Sequence, residues 1–199
     1  MENNSLRERK KIKTREKLIQ IATRLFLEKG FESTTVDEIV EQAELSQRTF
    51  FRYFSTKESV VLYNHALREQ QLEILLNKDA GCVTPFEQVE YGIQRIFELY
   101  EHNRQQSLDE HKIINSSPIL LAHDIELDLN YEKIIAQRLM NWNGEPYMSE
   151  RKARVASAAI CGAVRAIMVE WFIGECTIDY VEASKEYREI IHLLASVNG

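Results

Sequence analysis

The chain has 199 residues, a net charge of −6 and 44% hydrophobic residues, enough apolar material for the core of one large domain or two small ones. Seven glycines and three prolines leave long amphipathic runs intact, which predicts an all-α fold of about nine helices. Three cysteines without a Cys-x-x-Cys pair exclude a disulfide framework and point to reduced thiols in a cytoplasmic chain.

No apolar stretch at the N-terminus resembles a signal peptide. The most apolar segment, residues 155–173, contains Arg165 and Glu170 and makes a poor membrane span. The acidic total hides a split. Residues 1–60 carry a net +2 and the rest −8. The positive charge is sharpest between Arg7 and Lys17, with seven basic residues against two acidic ones. Residues 1–12 therefore read as a basic arm. It is either a solvated tail or a segment that adds salt-dependent affinity for nucleic acid.

The first helix is expected from Lys13 to Lys29, with Leu18, Ile21, Ala22, Leu25 and Phe26 on one face and Gly30 ending it. Thr35-x-x-Glu38 is a capping box for a short second helix bearing Val36, Ile39, Val40 and Ala43. Ser46 caps a third helix of barely two turns, with Leu45 and Phe50 spaced as a hydrophobic staple. Ser55-x-x-Glu58 reads as another capping box, opening a fourth helix to about Asn77.

Two short helices joined by a tight turn and braced by longer ones form a helix-turn-helix over residues 13–60. Phe50 and Phe54, four apart, lean inward, while Gln47, Arg48, Thr49 and Arg52 face outward beside the cap Ser46. Outward N-terminal positions of such a helix lie in the DNA major groove, where arginine bonds guanine and glutamine bonds adenine.

The run from Thr34 through Ser46, followed by Thr49-Phe50-Phe51-Arg52-Tyr53-Phe54 and Lys57-Glu58, resembles the N-terminal domain of TetR/AcrR-family transcriptional regulators over residues 13–62. The C-terminal helix also resembles the mycofactocin-type subset. The resemblance implies a homodimeric, ligand-responsive repressor of a palindromic operator, although some relatives activate. It places Gln47, Arg48 and Thr49 on bases and Thr35, Tyr53 and Lys57 on phosphates. Two residues depart from the family pattern. Glu44 stands where glycine is common. Phe51 replaces a tyrosine, and is expected either in the core, the favoured reading, or on a thymine methyl.

Residues 61–199 are expected to form a helical effector-binding and dimerisation domain. Thr84-Pro85-x-Glu87 opens one helix, to about Asn103; another runs near 107–115. Ser117-Pro118 begins a longer one that ends near Trp142, before an Asn143-Gly144-Glu145-Pro146 turn. Ser149 caps a hydrophobic helix to about Gly174, and Thr177 caps the last, to about Ser196. Ala159, Gly162, Ala163 and Ala166 form a small-residue stripe. The last two helices, 149–174 and 177–196, are therefore expected to pair across a twofold axis.

Tyr91, Tyr100, His111, Trp142 and Trp171 are candidates for an effector cavity. The acidic balance of this part favours a neutral or cationic ligand. No cofactor is expected. The sequence has no Gly-x-Gly, no Gly-x-Ser-x-Gly and no His-x-x-x-His, so neither an enzyme nor a metal site is expected. A helical adaptor or structural protein is the competing class. It leaves the basic arm and the outward Gln47-Arg48-Thr49 without a purpose.

Overall fold

A computed structural model describes residues 2–78, 80–174 and 180–196 of the chain. The described residues form ten helices and one short hairpin. They divide into two compact units, residues 1–64 with 109–124, and residues 65–108 with 125–199. Residues 109–124, which the sequence assigns to the second domain, thus cluster with the first.

In the first unit, α1 (Glu2–Lys29) begins well before Lys13, so the basic arm continues the helix. Its buried face is Leu18, Ala22, Leu25 and Phe26, and the turns before Leu18 are mainly exposed. Gly30 ends it at φ 87°, a left-handed conformation natural to glycine. The buried Thr34 donates its Oγ1 to Gly30 O (2.9 Å) and Leu25 O (3.3 Å), satisfying carbonyls at the end of α1.

Helix α2 (Val36–Gln42) carries the expected capping box. The Glu38 amide donates to Thr35 Oγ1 at 3.2 Å, and the Thr35 amide to Glu38 Oε2 at 3.0 Å. The α2 exit is a Schellman turn, with Leu45 N bonding Val40 O at 2.9 Å and Glu44 N bonding Glu41 O at 3.0 Å. Glu44 occupies its left-handed position at φ 54°, so the turn keeps its geometry with a residue that is strained there. Glu44→Gly is expected to raise unfolding stability by roughly 0.5–1 kcal/mol, the relief of strain exceeding the entropy of a freer unfolded chain. A denaturant titration showing a lower midpoint would contradict it.

After α3 (Gln47–Tyr53) the expected cap shifts by one residue. Thr56 and Ser59 exchange side-chain bonds with each other's amides at 3.2 Å, and Lys57 takes the N-cap position without a side-chain bond to the helix it starts. The single helix expected to Asn77 is two, α4 (Glu58–Val61) and α5 (Tyr63–Asn77), separated by a turn at Leu62. Ile113, Ile114 and Leu120 close the core of this unit beside Ile39, Phe50 and Phe54. Ser117 ties the segment down by donating to Glu32 Oε1 at 2.6 Å.

The second unit is built on α6 (Pro85–His102), capped by Thr84 with Pro85 in the first turn as expected. Gly92 lets α5 approach α6 closely, since a Cβ there would sit 2.9 Å from Leu72 and Leu76 side-chain carbons. Gln88 donates to the carbonyls of Leu75 and Lys78 near the end of α5. Helix α7 (Arg104–Asn115) precedes α8 (Pro118–Met140). A hairpin follows, β1 (Asn141–Trp142) pairing antiparallel with β2 (Glu145–Pro146). Its two turn residues, Asn143 and Gly144, have φ of 51° and 86°, the signature of a type I′ turn.

Helix α9 (Glu150–Ile173) starts at the Ser149 cap and buries Ala153, Ala156, Ile160, Ile167 and Trp171. Helix α10 (Tyr180–Ser196) packs on α9 and α6, with Tyr187 stacked on Phe97 at 5.6 Å. The expected cap at Thr177 lies outside the described residues. Among those residues α9 is the helix long and apolar enough to cross a membrane by length and composition, yet Arg165 on it pairs with Asp128 at 2.9 Å and Glu132 at 3.8 Å. Burial, aided by those two carboxylates, pushes the Cys161 thiol up to about 12, so at neutral pH it stays protonated.

The face of α9 opposite its core residues is apolar and open. Val155 is 64% exposed and Ile173 76% exposed, with Ala159, Gly162, Ala166 and Val169 exposed between them. A Cβ added to Gly162 would meet no atom within 4 Å. Ala163 differs from its neighbours in the small-residue stripe. It is half-buried against the core of its own unit.

Candidate nucleic-acid interface

Helix α3 is held at its start by Ser46, whose Oγ accepts the Thr49 amide at 3.2 Å and lies 3.0 Å from Thr49 Oγ1. Its inner side is anchored by Phe50, fully buried, with the Phe54 ring 5.8 Å away. Gln47, Arg48, Phe51 and Arg52 are exposed. Helical spacing puts these four on one face. The helix has seven residues, and its diameter with side chains, about 10–12 Å, suits a major groove about 12 Å wide.

Phe51 corrects the favoured reading, which put it in the core. It is 52% exposed, standing edge-on to Phe50 at 5.4 Å. Successive helical residues point about 100° apart. Once Phe50 fills the core, Phe51 must face out, between Gln47 and Arg48.

The other predicted residues are placed differently from one another. Thr35 is exposed but spends its hydroxyl on the α2 cap. Gln47 donates its amide nitrogen to Asp37 Oδ1, which fixes the amide's orientation. Arg48 makes no hydrogen bond or ion pair with a described residue. Thr49 is half-buried beside Ser46. Arg52 lies over the half-buried Tyr53 ring at 5.1 Å, and Arg15 lies 6.0 Å from the same ring while donating to Tyr63 OH at 2.7 Å.

Lys57, expected at a phosphate, turns into the protein. Its Nζ donates to Phe31 O (2.6 Å) and Thr34 O (2.9 Å) and lies 4.2 Å from the Phe31 ring centroid. The α1–α2 turn is thereby pinned to the start of α4. Lys57→Ala is expected to cost about 1.5–3 kcal/mol of stability, because two carbonyls lose a charged donor. The dependence of DNA affinity on salt should stay unchanged. A lower salt slope with unchanged stability would restore the phosphate contact.

The five candidates for an effector cavity do not form one group. His111 belongs to the first unit, bonded across one turn to Asn115, and burial lowers its basicity against the pull of Asp124. In the second unit Tyr91 lies under Arg95 at 5.7 Å, and Trp142 under Arg138 at 4.4 Å. Tyr100 and Trp171 do meet, edge to face at 6.3 Å. Among the described residues no three His, Cys, Asp or Glu side chains come together as a metal site.

The architecture has counterparts among known proteins. Residues 18–63 match the model of the family described as bacterial regulatory proteins, tetR family. The HTH-type transcriptional regulator TcmR of Streptomyces glaucescens is 29% identical over 84% of this chain and 77% of its own length. The putative mycofactocin biosynthesis transcriptional regulator MftR of Mycobacterium tuberculosis is 22% identical over 68% of this chain and 69% of its own. The crystal structure of the regulator FadR from Bacillus subtilis in complex with stearoyl-CoA superposes with a TM-score of 0.61 at 18% identity, covering 90% of this chain and 96% of that one. The helix-turn-helix of residues 18–63 is thus that of the tetR family of bacterial regulatory proteins, and the relatives that align over most of the chain are DNA-binding transcriptional regulators.

Proposed function

We propose that the chain is a ligand-responsive repressor that binds a palindromic operator as a homodimer and acts by binding rather than catalysis, in the cytoplasm where the DNA lies. The observation that carries this reading is the exposed α3 face, in which Arg48 has no partner among the described residues. Arg48 offers a bidentate donor to guanine, Gln47 an oriented amide, and Phe51 an apolar surface for a thymine methyl. Ser46, Thr49, Arg52 and Tyr53 border that face and supply hydroxyls and charge for the DNA backbone, contacts that position without specifying, while Thr35, its hydroxyl engaged in the α2 cap, has its exposed side chain nearby. The basic residues of α1 add affinity that falls with salt.

The open apolar face of α9, with the exposed Ile190 and Leu193 on α10, supports pairing with a second copy. Two α3 helices then fit successive major grooves, about 34–36 Å apart. A ligand that favours a different spacing releases the DNA, by as much as its preference for that state.

Selection of bound fragments from genomic DNA, followed by footprinting, tests the reading. A twofold-symmetric footprint and transcription blocked by the protein are expected. Equal affinity for every fragment would reduce the chain to a helical adaptor. A rise in transcription would make it an activator of the same fold.

A further inference from the structure

Asp37 stands exposed in the first turn of α2 and accepts the Gln47 amide nitrogen at its Oδ1. The start of α2 does not require it. Thr35 and Glu38 close the capping box between themselves, and Glu38 already sets a negative charge in that turn. Asp37 makes no ion pair with a described residue. A carboxylate beside the exposed face of α3 also repels phosphates, which have its own sign. What it does there is hold Gln47.

The chemistry of that bond sorts the bases. A carboxylate only accepts, so the Gln47 amide must turn its nitrogen, not its oxygen, toward Asp37. That nitrogen carries two hydrogens, and one of them is spent. The Gln47 oxygen bonds no described residue, so one donor and one acceptor stay available. Adenine shows the matching pair in the major groove, an N7 acceptor beside an N6 donor. Guanine shows two acceptors there, N7 and O6. A free glutamine amide can meet guanine by giving both hydrogens. An amide tied to Asp37 cannot, and its oxygen would face O6 with no proton between them.

We propose that Asp37 determines specificity through Gln47, committing it to adenine and excluding guanine at one position of the operator half-site. The inference deepens the operator-binding function proposed above and rests on it. Asp37 itself need touch no base, so it is a positioning residue. It also holds a long side chain in place before DNA arrives, so less rotamer freedom is lost on binding.

The test incubates the full chain, Asp37→Ala, Gln47→Ala and the double variant with a library of randomised duplexes and sequences the bound fragments. Gln47→Ala identifies the position that Gln47 reads, as the one where the wild-type adenine preference disappears. There Asp37→Ala should admit guanine and lower the adenine-to-guanine ratio roughly tenfold, within what one bidentate contact discriminates. Other positions should keep their preferences. In the double variant, loss of Asp37 should change nothing beyond the loss of Gln47. Affinity of Asp37→Ala for random duplex should hold or rise, since a charge repelling the phosphates is removed.

A role confined to stabilising α2 would lower the thermal midpoint of Asp37→Ala and leave the ratio unchanged, and that result would overturn the inference. A wild-type preference for guanine at the Gln47 position would do the same, as would a Gln47→Ala profile identical to wild type. In each of those cases fragments are still selected, and the sequence-specific regulator stands on Arg48. If the wild-type chain enriches no sequence over the library, the regulator itself falls and this inference with it.

Discussion

Gly162→Arg is expected to yield a folded, helical monomer that has lost specific operator binding. Gly162 sits midway along the exposed face of α9, and a Cβ added there meets nothing within 4 Å. Within one subunit the change is harmless, or gains several tenths of a kcal/mol from replacing glycine in a helix. In a dimer it places a guanidinium without a partner in a desolvated interface, at a cost of about 3–5 kcal/mol. Splitting the dimer removes the second half-site contact, and with it about a hundredfold or more of operator affinity.

Sedimentation, circular dichroism and a mobility shift on one preparation check all three parts of this expectation. A dimer with full operator affinity would place the interface elsewhere. Ala163→Arg, which the sequence pattern suggests equally well, is the weaker test. Ala163 already packs against its own core, so the protomer itself would be disrupted.

Arg48→Ala is expected to cost about 1–3 kcal/mol on the specific operator and much less on random DNA, because a base contact is removed and the phosphate contacts stay. The fold should not respond. Arg48 is exposed and holds no other described residue in place. Competition titrations with operator and scrambled duplexes at one salt concentration measure the difference. Equal losses on both would remove Arg48 from the base-reading set and leave Gln47 and Phe51 to carry specificity.

The features legible in the sequence are those governed within a few residues. The caps at Thr35, Ser46, Thr84 and Ser149 stand where their spacing put them, since a side-chain oxygen reaches an amide three residues on whatever lies further away. The turn at Glu44 was marked only by the family resemblance, as a place where glycine is common, and the structure shows that its left-handed geometry is kept. Helical periodicity likewise marked the inner faces of α1 and α2.

Tertiary structure alone decided the rest. Spacing already turned Phe50 inward, but Phe51 carries equal hydrophobic weight, and only the packing of α3 with Phe50 in the core left Phe51 outside. A lysine near a helix start suits a phosphate. It faces inward here because the Phe31 and Thr34 carbonyls, more than twenty residues earlier, present themselves to it. No local pattern assigns Ile113, Ile114 and Leu120 to a core begun about ninety residues before them. Nor does it separate His111 from Tyr100 and Trp171. Periodicity tells which face of a helix is apolar. Which neighbour covers that face depends on contacts between segments far apart in the chain, and that decides which groups end buried together.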